Sequence, residues 1–121
     1  MSYLEKKALE CEQVRIMNQA KLEKLLLALK DKLQEHDYFA TKDLFNQISL
    51  ICQENIESFA KQFFYEKRYI TADKHEIKRR KDIYVTAGKI VRQELDKIKD
   101  VIKLTFPGGL RTCSAKSKQL G

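Results

Sequence analysis

The chain reads as an all-α protein, an elongated antiparallel three-helix bundle of coiled-coil character. Three observations lead there. Four glycines and one proline among 121 residues leave little punctuation for a many-turned β architecture. Leucine, isoleucine, lysine, glutamate and glutamine dominate, a composition that favours helix, mostly through low side-chain entropy loss. Apolar residues recur at three- and four-residue steps over long stretches, the period of a helix face. The length fits one domain: a helical domain over residues 1–106, followed by a flexible basic tail over 107–121.

The first helix is expected at about residues 3–35, where Leu4, Ala8, Cys11, Leu22, Leu25, Leu29 and Leu33 form one face. Arg15 and Asn18 occupy the two remaining core positions of that series. The expectation is a small phase shift that brings Val14 and Met17 into the buried stripe instead. The alternative is polar residues at heptad core positions, which lose stability but fix register and partner number.

The pattern breaks at "QEHDYFATKD", where Thr41 is the expected N-cap and Asp43 faces the positive end of the next helix. The second helix, about 42–68, carries the clearest core face: Leu44, Phe45, Ile48, Ile51, Cys52, Ile56, Phe59 and Phe63. That face is wide enough to need cover from more than one neighbour.

"YITADKHE" then offers a third start, with Asp73 and Glu76 spaced as a capping box. An alternative runs through it. Ile56, Phe63, Ile70, Ile77, Tyr84, Val91 and Ile98 follow at seven-residue intervals, so the second and third helices could fuse into one rod completed by dimerisation. Such a rod would be about 95 Å long. It would also put Lys67, Lys74 and Lys81 at core positions, which favours a break near 70–73. The third helix, about 74–105, is expected to bury Ile77, Tyr84, Gly88, Val91, Leu95, Ile98 and Ile102, with Ile83, Ile90 and Val101 widening the face. "FPGG" ends it, because proline disfavours helix at the residue before it. Short connections between long helices imply antiparallel neighbours.

The formal charge of +7 is uneven. Residues 1–60 carry 8 basic and 10 acidic side chains, whereas residues 61–121 carry 16 basic and 7 acidic. On a helical wheel, Lys74, Lys78, Lys81, Lys89, Arg92, Lys99 and Lys103 share one sector beside the apolar face of the third helix. This stripe is about 44 Å long at helical rise. Arg79 and Arg80 point elsewhere, with Arg80 on the core side. Asp82, Asp96 and Asp100 make the pairs Lys78–Asp82, Arg92–Asp96, Asp96–Lys99 and Asp100–Lys103 available within the helix. A solvated face is the plain reading of such a stripe. A protein partner's acidic face and a phosphate backbone are the two functional ones.

Other chemistries find no pattern. The start "MSYLEKKALE" is charged where a secretory signal needs an apolar core. The longest purely apolar run, "LLLAL", is far short of the ~18 residues of a membrane span. Cys11, Cys52 and Cys113 are odd in number and widely spaced, which fits free thiols and leads to the expectation of an intracellular, cytoplasmic setting rather than a disulfide framework. His36 and His75 lack a second ligand at metal spacing, so no metal, cofactor or small-molecule substrate is expected. No glycine-rich phosphate loop, nucleophile–base pair or nucleic-acid motif is present, so no catalytic residue is assigned. The expectation is a non-enzymatic helical interaction module, an adaptor, assembly subunit or small chaperone, binding a protein partner or itself. The basic stripe would steer, and Phe45, Ile56, Phe59, Phe63, Tyr84, Val91 and Ile98 would make the apolar contact. The alternative is a nucleic-acid-binding module using the basic face of the third helix.

Overall fold

The computed structural model describes residues 2–70 and 73–107. The expected tail from residue 108 onward, Cys113 included, lies outside the described residues. The chain forms three helices of 32 residues each: α1 at Tyr3–Gln34, α2 at Tyr38–Tyr69 and α3 at Lys74–Thr105. Each is about 48 Å long, and the described residues contain no strand. α2 is the central helix. It packs along both α1 and α3, whereas α1 and α3 meet far less.

Capping sets the boundaries. Ser2 caps α1, its hydroxyl accepting from the Glu5 N–H at 3.2 Å. The α1–α2 turn needs a left-handed residue, and His36 supplies it with φ of 54°. The His36 N–H donates to Leu33 O at 3.2 Å and the Asp37 N–H to Lys32 O at 3.0 Å, the paired bonds that close a helix C-terminus. Asp37 then caps α2, accepting from the Ala40 N–H at 3.1 Å. Thr41 is therefore not the N-cap. Asp37 takes the capping role four residues earlier, and Thr41 is fully buried inside the helix. α2 and α3 are separate helices, not one rod: α2 ends at Tyr69 and Asp73 caps α3, accepting from the His75 N–H at 2.9 Å. The reciprocal capping box does not form: Asp73 accepts from the His75 N–H rather than that of Glu76, whose carboxylate turns to Arg79 and Arg80.

The bundle has a dry end and a polar end. At the dry end, Leu29 of α1, Phe45, Ile48 and Cys52 of α2, and Ile102 of α3 form one buried cluster. Leu22, Leu25, Leu33, Leu44, Val91, Leu95, Ile98 and Phe106 close around it. Burying each large side chain here contributes roughly 1.5–3 kcal/mol. Phe45 is thus part of the core, with no face left for a partner. Ile83, Ile90 and Val101 stay about half exposed, since α1 does not close over that flank of α3.

At the polar end the expected phase shift of α1 does not occur. Met17 is 62% exposed and Asn18 only 2%. Asn18 donates to Asn55 Oδ1 and Glu54 Oε1, both at 2.8 Å. Arg15 donates to Ser58 Oγ at 3.0 Å and to Gln62 Oε1, with its guanidinium 4.1 Å from the centre of the Phe59 ring. Gln62 in turn donates to Glu12 Oε1 at 2.8 Å. Because α2 carries matching polar residues at these heights, α1 keeps its heptad phase and buries them.

Candidate partner-binding groove

The local structure of α3 is anchored by one buried carboxylate. Glu66, near the end of α2, receives the Tyr84 hydroxyl at 2.5 Å, the Arg80 guanidinium at 3.0 Å and the Gln62 amide at 3.1 Å. Burial, together with the hydrogen bond to this carboxylate, pushes the Tyr84 phenol well above its usual pKa. Arg80 also pairs with Glu76 at 2.8 Å, so it serves the α2–α3 brace and takes no part in the stripe. With Tyr84 pinned by its hydroxyl, its ring stacks on Phe59 at 6.0 Å between centroids.

Next to that stacked pair, α2 and α3 leave an open groove of about 300 Å³. Its floor and walls are Ile56, Phe59, Ala60, Phe63, Tyr84, Val85 and Gly88. Its rim is Lys81, Lys89 and Arg92, and among the described residues no carboxylate lines it. Beyond the lining residues, Lys67 stands 5.8 Å from the centres of both the Phe63 and the Phe64 rings.

Gly88 shapes the floor. A Cβ at this position would meet Ile56 Cγ2 at 3.9 Å, ordinary contact, so helix packing does not require glycine. A glycine inside a helix costs about 1 kcal/mol relative to alanine. What it does provide is depth on the groove side.

All seven stripe residues are exposed, and among the described residues none of them forms an ion pair. The anticipated pairs with Asp82, Asp96 and Asp100 are absent from the described residues. Lys81, Lys89 and Arg92 reach the groove; Lys74, Lys78, Lys99 and Lys103 extend the same flank to either side of it. Of the seven apolar candidates, Ile56, Phe59, Phe63 and Tyr84 line the groove, while Phe45, Val91 and Ile98 pack on the core. Ala60, Val85 and Lys67 were not foreseen as site residues. Val85 was legible on the wheel, in the same sector as Arg92, but a lone valine among cations carries no periodic signal.

A second cleft of about 370 Å³ lies between α1 and α2. Its lining mixes Glu10, Glu54 and Glu57 with Lys7 and Lys61, which suits water better than a ligand of one sign. Cys11 lines it, and burial raises its thiol pKa, so the nucleophilic thiolate is disfavoured there. The described residues place no group of three or more His, Cys, Asp or Glu where it could hold a metal ion, and no described helix is long and apolar enough to cross a membrane.

The fold and groove define an all-α helical bundle with a cation-rimmed apolar cleft. Comparison with protein-family models, with curated proteins and with solved structures finds no match to this chain.

Proposed function

We propose that the protein is a non-enzymatic helical interaction module that binds a protein partner through the α2/α3 groove, with the lysine stripe of α3 steering the approach. One observation carries this reading: an apolar floor of aromatic and aliphatic side chains sits under three exposed cations that have no ion-pair partner among the described residues. Apolar contact would supply most of the affinity, and the row of charge would set encounter rate and orientation. Scattered exposed apolar residues, such as Ile16 and Leu50, are normal on a protein surface and carry no such argument. Three cysteines without disulfide spacing fit work inside the cell, in the cytoplasm.

The test is a pull-down from nuclease-treated native lysate, comparing the wild type with Lys81→Glu/Lys89→Glu/Arg92→Glu. A protein retained by the wild type and lost by the triple variant supports the reading. Capture that disappears on nuclease treatment, with oligonucleotide binding that weakens steeply as salt rises, would transfer the stripe to nucleic-acid binding instead.

A further inference from the structure

We infer that the occupant of the α2/α3 groove is an acidic amphipathic helix from another protein, laid along the groove as a fourth helix of the bundle. This rests on the reading above and names the partner's chemistry. A trough between two helices accepts a helix, whose residues at three- and four-residue steps can enter it; a strand would need a sheet edge, and the described residues contain none.

The sign of the ligand follows from the rim. Lys81, Lys89 and Arg92 edge the floor, Lys67 stands just beyond it over the Phe63 ring, and among the described residues no lining carboxylate offsets them. Three of these four lie on α3, so the ligand's acidic residues belong on one flank, beside α3, with its apolar residues facing Phe59, Phe63 and Gly88. From Lys81 to Arg92 the rim spans about 16 Å, or about three helical turns of ligand. The remaining stripe residues extend the attraction beyond the groove.

Charge also argues against the nearer occupants. Residues 108–121 of this chain carry Arg111, Lys116 and Lys118 and no acidic residue. A second copy docking groove to groove would set its own stripe against the first, because its 61–121 half carries 16 basic and 7 acidic side chains.

The experiment uses the full chain and a fluorescein-labelled designed peptide of about 20 residues, about 30 Å as a helix. It carries leucines on one face and glutamates on one flank. Its comparators are a peptide with lysine in place of every glutamate and a scrambled peptide of the same composition. Anisotropy should show saturable binding of the acidic peptide that weakens as salt rises. Both comparators should bind at least about tenfold more weakly. Lys89→Glu and Arg92→Glu should each weaken the acidic peptide about tenfold, whereas Lys21→Glu on α1 should leave it unchanged. Gly88→Leu, with helicity confirmed by circular dichroism, should abolish binding by filling the floor.

Equal binding of the lysine peptide, or binding indifferent to Lys89→Glu, Arg92→Glu and Gly88→Leu, overturns the inference. So does self-association that fills the groove, seen by light scattering. If no peptide binds yet the triple variant still releases a lysate protein, only the acidic-helix occupant is wrong; if the triple variant releases nothing, the groove reading falls as well.

Discussion

At the scale of single residues, two positions are held against local preference, and each has a measurable consequence. The Thr41 hydroxyl is fully buried and has no hydrogen-bond partner among the described residues. Leaving such a group unsatisfied costs about 1–3 kcal/mol. Thr41→Val keeps the shape and removes the hydroxyl, so the urea midpoint should rise by the equivalent of about 1 kcal/mol; a fall would show that the hydroxyl has a partner in solution. His36 is the other case. A non-glycine residue at positive φ is costly, and here the cost is offset by the two terminal hydrogen bonds and by an edge-on contact with Phe106 at 6.2 Å. With no glycine in this turn, the sequence offers no flag for it. That is why the second helix was expected to begin at residue 42, although it starts at Tyr38.

At the scale of elements, the α1–α2 pairing is set by polar contacts as much as by apolar ones. Asn18→Ala should destabilise by about 2 kcal/mol, because Asn55 Oδ1 loses its donor in a buried seam. Asn18→Leu with Asn55→Leu should recover that loss, as replacing a whole buried polar pair with apolar residues often does. The double variant should also lose uniqueness of register, which size-exclusion chromatography would show as mixed oligomers; a strictly monomeric and more stable variant would confine the seam to packing. The sequence marked Arg15 and Asn18 as polar breaks in a heptad series, yet the partners at Ser58 and Gln62 lie more than forty residues away. A one-dimensional pattern does not contain that match.

The start of α3 responds to acid. Hydrogen bonds from Arg79 and Arg80 hold the Glu76 carboxyl down to about 2, against an ordinary value of 4.5. Since the folded value lies below the unfolded one, this stabilisation is complete above about pH 4.5 and is lost as pH falls toward 2. Urea midpoints measured at about pH 5 and about pH 2.5 should converge more closely in Glu76→Gln than in the wild type. Identical pH dependence in the two proteins would remove Glu76 from acid sensing at this helix end.

At the scale of the whole molecule, the all-α class, the number of helices and the break between α2 and α3 were all legible, because long periodic faces survive local ambiguity. The stripe was legible too, since wheel position depends only on spacing. What was not legible is the distribution of the apolar residues. Val91 and Ile98 share a seven-residue series with Phe63 and Tyr84, and Phe45 shares another with Phe59, yet Phe45, Val91 and Ile98 pack on the core while Phe59, Phe63 and Tyr84 line a groove. Nor could spacing show that Lys81, Lys89 and Arg92 stay unpaired among the described residues, since Asp96 stood within reach of Arg92 on the same helix. These three-dimensional facts turn a basic helix face into a candidate site with a floor, a rim and a sign.

The central claim is that this groove is where a partner's acidic helix lies. Amide chemical-shift mapping of the isotope-labelled full chain, titrated with the acidic designed peptide, tests it most directly. The account predicts saturable shifts at Ile56, Ala60, Phe63, Val85 and Gly88, with the α1 amides from Ala28 to Gln34 unmoved. Shifts centred on the α1–α2 cleft around Cys11 and Lys61, or no shifts at all, would contradict it.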